Sequence, residues 1–238
     1  MSAQDRVLWR ERCQMALRLV YFPVRAKAEC IRMALRYGKV EYEDVSVSDH
    51  FGCGWGAGAK AMAPFNQLPI LVVGDAPPLA QSGSIMRYLA GLTGLAPDPA
   101  DALMVARCDA VFEASQELAA GDSNVNPIVN VFRGEQFEEK KATFFGMAPA
   151  KIANLAKQLE LCSGGAGPFF FGAKPLYCDL SVYHVLSNTP LLDATALDAH
   201  PGLQTFMGAV EALPGVAEYL AERPDCVDIG TSPMLKAK

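Results

Sequence analysis

The residues with the most chemical content are few and spread along the first third of the chain: Tyr21, Lys27, Trp55, Lys60, the run Gln67-Leu68-Pro69 and the pair Gln81-Ser82. Pro69 forces Leu68 out of the helical region into an extended conformation, leaving the Leu68 amide and carbonyl available beside the strand that follows. A peptide-like ligand can pair there as an extra strand. Gln81-Ser82 then opens a helix whose first amides lack internal acceptors and favour a carboxylate. Taken alone, each feature has a plainer meaning. The Gln-Ser pair reads as an ordinary N-cap, Tyr21 as a core aromatic, Trp55 as the cover of a domain edge, and Lys27 and Lys60 as solvated charges. Their coincidence points to a site for a small ligand.

Such a site needs a scaffold. Residues 16–22 (ALRLVYF) alternate as a strand with Tyr21 at its end, and Pro23 stops the ladder. Residues 24–37 place Ala28, Ile31, Ala34 and Leu35 at helical spacing, with Arg25, Lys27, Glu29, Arg32 and Arg36 largely elsewhere, and Gly38 follows as a C-cap. Residues 40–47 form a second strand, charged on one side, which suits a sheet edge. Gly52, Gly54, Gly56 and Gly58 are too many for a stable helix, so 48–63 reads as a mobile loop carrying Trp55 and Lys60. A strand at 70–73, a turn at 73–75, an antiparallel strand at 78–80 and a helix at 84–91 complete an α/β unit.

After Gly94 the composition changes. LAPDPA (95–100) reads as a linker, and beyond it the pattern is helical without a convincing strand. A long helix at 102–120 precedes a break at 121–127. Helices at 134–146, 149–161, 176–186, 201–213 and 215–221 follow, then a tail. Phe169, Phe170 and Phe171 read as a core plug from a loop. Asp179, near the start of the most apolar helix, reads as a structural carboxylate bonding free amides.

Composition narrows the function classes. Of 238 residues, 51% are hydrophobic and 20% charged, which is ordinary for a globular protein, and the length allows two domains with their own cores. A net charge of −5 argues against a nucleic-acid surface. No apolar run approaches the roughly 20 residues of a membrane span, and MSAQDR has no signal-peptide core. Seven cysteines without CxxC spacing suggest neither a disulfide framework nor a metal site, so a reducing, cytoplasmic setting is expected.

The segments LVYFPVRAKAECIRMAL (19–35), YEDV (42–45), PFNQLPIL (64–71) and AQSGSIMRYLA (80–90), and more weakly FFFGAKPLYCDLSVYHVL (169–186), resemble the cytosolic glutathione transferases, most closely the sigma-like class. The resemblance implies an α/β plus all-α fold: an N-terminal extension (1–14), a thioredoxin-like domain with a mixed sheet and a cis-proline (15–95), and an all-helical domain lining the electrophile pocket (101–238). It implies that Tyr21 donates a hydrogen bond to the glutathione sulfur, that the Leu68 backbone pairs with the cysteinyl part, and that Pro69 is cis. Gln67 would bind glutathione, and Gln81 and Ser82 would hold the γ-glutamyl end. Trp55 and Lys60 would reach the glycyl carboxylate, with one extra residue between them here. Lys27 stands where the family usually has arginine, in RAKAE, keeping the charge without the bidentate fork. Leu176 stands where the family has a serine or threonine before Asp179, removing half of a capping pair. Neither Cys13 nor Cys30 occupies the position of a nucleophilic cysteine in thioltransferase-type relatives. Glutathione would be a co-substrate, with no separate cofactor and no metal. The partners implied are a small hydrophobic electrophile and a second subunit, whose γ-glutamyl ammonium Glu113 would reach. Two alternatives within the same fold are a glutathione-dependent isomerase resembling prostaglandin D synthase and a non-catalytic protein resembling the lens crystallins.

Overall fold

The computed structural model describes residues 16–119 and 137–223, and the chain divides into two compact units, Met1–Leu95 and Ala96–Lys238. The expected extension at 1–14, the break at 121–127 and the C-terminal tail lie outside the described residues.

Among the described residues of the first unit, four strands form one mixed sheet in the order β2-β1-β3-β4: β1 (Leu17–Val20), β2 (Glu43–Val45), β3 (Ile70–Val73) and β4 (Leu79–Ala80). β1 runs parallel to β2 and antiparallel to β3, and β3 is antiparallel to β4. β2 is the edge expected from its charge, with Glu43 and Asp44 exposed. Helix α1 (Glu29–Tyr37) buries Ile31, Met33, Ala34 and Leu35. Glu29 and Arg32 do not lie on a solvated face as the helical pattern suggests, for they are 1% and 6% exposed. The Arg32 guanidinium donates to the Val24 carbonyl at 2.7 Å and to the Asp44 carboxylate at 2.5 Å, tying α1 to the edge strand. A buried charge is tolerated here because these partners meet it.

Residues 48–63 are not the loop that their glycine content implies. Ser46 caps a short helix α2 (Val47–Phe51), accepting from the Asp49 amide at 3.2 Å, and Gly52 ends it at φ 73°. A 3-10 turn follows (Trp55–Ala57), then helix α3 (Ala59–Met62). The glycines sit at the stops between short turns and not inside one long helix, so their helix-breaking cost falls where the chain bends.

Helix α4 spans Ser82–Thr93, starting two residues before the expected 84, because Gln81 takes the N-cap position at φ 71°, ψ 114°. It packs against α1. Gly38 ends α1 at φ −74°, an ordinary helical value, so the left-handed freedom of glycine is not what this position uses. The requirement is closeness: a Cβ at Gly38 would lie 2.6 Å from Thr93 Cβ.

Among its described residues the second unit is helical: α5 (Ala102–Ala119), α6 (Phe137–Ser163), α7 (Tyr177–Ser187), α8 (Thr189–Leu192), α9 (Pro201–Glu211) and α10 (Val216–Glu222). The two helices expected at 134–146 and 149–161 are one, with Pro149 inside α6. α7 is the buried centre, with Cys178, Leu180, Val182 and Leu186 at 0% exposure. Its face toward α5 is partly polar. Tyr177 donates to Asp109 at 2.7 Å, Ser115 and Ser181 hydroxyls meet at 2.7 Å, and Gln116 donates to Ser181 at 2.8 Å. Phe170 plugs the core edge-on to Phe206, with ring centroids 5.5 Å apart. Asp179 accepts from the Phe170 amide at 3.0 Å and the Leu176 amide at 2.6 Å. It is the structural carboxylate expected, and half of a capping box survives without a hydroxyl at Leu176. Burial pushes its carboxyl up to about 7, against the pull of those amides.

Candidate active site

Tyr21 follows β1 directly and is 8% exposed, its amide donating to the Val45 carbonyl at 3.3 Å. The strand carries it to the sheet end where Pro23 turns the chain into a 3-10 turn (Ala26–Ala28) that leads into α1. That turn returns to the tyrosine, and the Lys27 amide donates to the Tyr21 hydroxyl at 3.4 Å. Ala26 holds the turn at φ 33°, a conformation that L-residues seldom adopt.

At the same end of the sheet, where Val20 pairs with Ile70 on the neighbouring strand, the Leu68–Pro69 bond is cis. The ladders on either face of β3 begin at Ile70, paired with Val20 and Ala80, so Leu68 lies beyond them. Pairing of Ile70 with Ala80 also brings the Gln-Leu-Pro run alongside the start of α4. There the Gln81 side-chain amide donates to the Gln67 side-chain oxygen at 2.9 Å. No side chain caps α4, so Gln81-Ser82 is not the ordinary N-cap that serine at this place would suggest, and Ser82 is the first helical residue.

The aromatic residues extend the arrangement. Phe22 lies between Tyr21 and Trp55, at ring-centroid distances of 5.5 Å and 5.7 Å, the second edge-on. The half-buried Trp55 is thereby joined to the tyrosine by a residue whose sequence neighbours gave it no special standing. The side chain of Lys27 and that of Lys60 on α3 are exposed. Glu113, in the second unit, lies exposed on α5. Three groups are thus brought together from distant sequence: Tyr21 with the Lys27 amide, Phe22 with Trp55, and Gln67 with Gln81. The Lys27 main-chain contact is the one that no sequence signal announces, since every residue but proline carries an amide.

Thiol chemistry elsewhere in this unit is limited. Cys30 lies on α1 at 5% exposure, and burial, with Glu29 adding to it, pushes its thiol up to about 12. Among the described residues no cluster of histidine, cysteine, aspartate or glutamate could hold a metal ion. No described helix is long and apolar enough to cross a membrane.

Comparison with known proteins places this geometry in a family. Residues 26–92 match the model of the glutathione S-transferase N-terminal domain, and residues 123–223 that of the C-terminal domain. The chain is 30% identical over 212 residues to glutathione S-transferase Mu 2 of Mus musculus, covering 87% of this chain and 91% of that protein. It is 30% identical over 210 residues to glutathione S-transferase P of Caenorhabditis elegans, covering 88% and 94%. The crystal structure of the glutathione S-transferase from Ascaris lumbricoides superposes with a TM-score of 0.73 at 27% identity, covering 88% of this chain and 98% of that one. The chain belongs to the glutathione S-transferase family, and its activity is that of a glutathione transferase.

Proposed function

We propose that Tyr21 donates its hydroxyl proton as a hydrogen bond to the glutathione thiolate, which then attacks a small hydrophobic electrophile. The Leu68 main chain beside Pro69 pairs with the cysteinyl part, Gln67, Gln81 and Ser82 hold the γ-glutamyl end, and Trp55, Lys60 and Lys27 serve the anionic glycyl end. The observation that carries this reading is the meeting of Gln67 and Gln81 at 2.9 Å beside Leu68, where α4 starts without a side-chain cap. An extended edge and a set of free amides at one place suit a short peptide with a carboxylate at its end. In this reading residues 15–95 are the glutathione-binding domain, residues 101–238 the helical one, the class is sigma-like and the setting cytoplasmic.

The energetics assign the tyrosine its role. A tyrosine is ordinarily protonated at neutral pH, so it acts as a donor and not as a base. A thiol with a pKa near 8.5 is only about 3% ionised at pH 7, and lowering that pKa by about two units takes roughly 2.7 kcal/mol of preference for the anion. One charge-assisted hydrogen bond with nearby amides supplies that much. The thiolate fraction then rises about twenty-fold, while intrinsic nucleophilicity falls by nearly ten-fold over the same two units. Much of the acceleration must therefore come from holding the sulfur beside the electrophile.

Steady-state turnover of glutathione with a chlorinated nitroarene tests the reading. Tyr21→Phe should leave glutathione affinity nearly intact, lower kcat at pH 6.5, and recover much of the deficit above pH 9. An unchanged pKa of the bound thiol in Tyr21→Phe, followed by ultraviolet absorbance, would remove Tyr21 from this role.

A symmetric homodimer belongs to the same reading, with Glu113 reaching the partner's glutathione. The support is exposed apolar side chains in each unit: among the described residues Leu103 is 60% exposed on α5 of the second, and Met62 and Phe65 are 60% and 75% exposed in the first. Sedimentation of a fully active monomer at micromolar protein would exclude it.

A further inference from the structure

We propose that Phe22 is a positioning residue for Trp55: its ring, mounted on the corner that follows β1, fixes the indole at the spacing from Tyr21 at which both ends of glutathione are met together. The inference rests on the assignment of Trp55 to the glycyl end and adds to it a residue that acts through another side chain.

The two rings stand on mounts of different stiffness. Phe22 follows Tyr21, whose amide donates to the Val45 carbonyl at 3.3 Å, and its own carbonyl accepts from the Val24 amide at 2.7 Å. Pro23 keeps Phe22 in extended backbone, and the Val24 carbonyl accepts from the buried Arg32 guanidinium at 2.7 Å, which ties the corner to α1. Trp55 instead opens a three-residue turn, Trp55–Ala57, with exposed glycines at 54, 56 and 58. The turn is closed through the Gly54 carbonyl, which accepts from the Ala57 amide at 3.0 Å and the Ala59 amide at 3.4 Å. A β-carbon at Gly54 or Gly56 would meet nothing within 4 Å, so no neighbouring atoms wedge the segment there. Glycine leaves such a segment more backbone freedom than any other residue does. The place of the indole is therefore set by what its ring meets.

Among the described residues the ring that meets Trp55 is that of Phe22. Their centroids lie 5.7 Å apart with the planes at 88°, an edge-to-face arrangement, and the Phe22 centroid lies 5.5 Å from that of Tyr21. Both distances fall in the range where aromatic pairs attract beyond their buried area. An edge-to-face contact also restrains the direction of the indole, which a contact of no fixed geometry would do less. Direction matters because the indole N–H is the one hydrogen-bond donor of the side chain, and a carboxylate must be met along that bond. Glutathione is a flexible tripeptide, so a site that holds its sulfur and its glycyl carboxylate at one preset spacing spares part of the ordering cost of binding. Phe22 touches the residue assigned to each of these ends, and both contacts lie within the first unit.

Phe22→Leu keeps an apolar side chain and removes the ring. In the full chain it should raise the glutathione KM by roughly three- to ten-fold, more than it lowers kcat, and leave the pKa of the bound thiol in place. A thiol pKa that moves with the KM assigns the loss to Tyr21 and overturns the proposal. Phe22→Tyr, which keeps a ring, should bring the KM back to within about two-fold of wild type, and a KM equal to that of Phe22→Leu excludes the ring contact as the cause. A double-mutant cycle with Trp55→Leu locates the effect. The doubly substituted chain should match Trp55→Leu alone in glutathione KM, whereas fold-changes that multiply show Phe22 acting by itself and refute the inference. The chain has two tryptophans, so a Trp9→Phe background leaves Trp55 as the one indole. There Phe22→Leu should shift the emission to the red and increase quenching by acrylamide; an unchanged spectrum and quenching refute the inference. If Phe22→Leu does not fold, nuclear Overhauser contacts between the Phe22 ring and the Trp55 indole in the Trp9→Phe chain decide, and their absence overturns it. Trp55→Leu alone tests the underlying assignment. A glutathione KM raised by Trp55→Leu but not by Phe22→Leu removes only Phe22, whereas a KM indifferent to Trp55→Leu removes Trp55 from the glycyl end and this inference with it.

Discussion

Substitution of Gly38 by alanine sets two effects of opposite sign against each other, and the structure decides between them. At φ −74° an alanine is conformationally acceptable, and the loss of glycine's freedom in the unfolded chain would by itself stabilise the protein by about 0.4–1 kcal/mol. Against this, the new Cβ would stand 2.6 Å from both Cβ and Cγ2 of Thr93 and 2.7 Å from its Cα. Contacts between carbon atoms are comfortable at about 3.5–4.0 Å, so the two helix ends must separate by roughly 1 Å. Rotation of Thr93 cannot relieve the clash, because Cα and Cβ do not move with the side-chain torsion. Thr93 is itself 7% exposed and donates to the Leu89 carbonyl at 2.9 Å. Overpacking of this kind costs about 1–3 kcal/mol, more than the entropic gain. The net loss of about 1–2 kcal/mol should lower the melting temperature by roughly 2–8 °C in a chain of this size. Thermal unfolding followed by circular dichroism, repeated at two protein concentrations to allow for association, measures it. Because α4 carries Ser82 at its other end, the glutathione KM should rise in the same variant. A second substitution, Thr93→Ala, removes Cγ2 and the hydroxyl but leaves Cα and Cβ in place, so it should restore only part of the stability. A Gly38→Ala protein melting at or above wild type would refute the reasoning, as would complete rescue by Thr93→Ala.

Two further substitutions probe the carboxylate and the helix start. The Asp179 carboxyl, held up to about 7 by burial against an ordinary 3.8, keeps its proton in the native state over a range where the unfolded chain has released it. Stability of this origin is present below about pH 4 and lost as pH rises through 7, amounting to about 4 kcal/mol. Asp179→Asn abolishes that slope, so the advantage of wild type measured by denaturant unfolding should shrink between pH 4 and 8; an advantage that grows with pH would mean that the Phe170 and Leu176 amides outweigh burial. Ser82→Ala should raise the glutathione KM by roughly ten- to a hundred-fold with little change for the electrophile, from loss of about 1.5–3 kcal/mol of hydrogen bonding to a charged group. An unaltered glutathione KM would reduce Ser82 to an ordinary helix residue.

Much of this architecture is legible in the sequence because its signals are local. Pro23 and Pro69 bracket strands, the charges of Glu43 and Asp44 mark an edge, and the tight hairpin between β3 and β4 follows from Gly74-Asp75. Asp179 could be assigned to free amides because a carboxylate beside an apolar helix start has few other stable partners. The misread segments are those where one residue type serves two ends. Glycines at 52 and 58 were readable as helix breakers but not as stops between helices of four and five residues. Pro149 was readable as a helix start but lies inside a helix of 27 residues. Arg32 stands off the apolar stripe of its helix, and its burial is not legible there because its partners, Val24 and Asp44, come from other elements. For the site, side-chain motifs identified Tyr21, Gln67 and Gln81, whereas the Lys27 amide could only emerge from three dimensions.

The polar contacts between α5 and α7 have a consequence for how the helical unit finds its structure. Two helices that meet through apolar side chains alone can slide past one another by a turn, about 5.4 Å, and still bury similar area. Here Asp109 must face Tyr177 while Ser115 and Gln116 face Ser181, two fixed points along one seam. A slipped pairing would strand these hydroxyl and amide groups in an apolar contact, at about 1–3 kcal/mol for each left unmet. Replaced together by apolar residues of similar shape, they would cost the native state little, since the loss falls on both partners at once. Their value lies in the competing alignments they exclude: the seam works as a vernier, admitting one setting of the two helices among several of nearly equal hydrophobic energy.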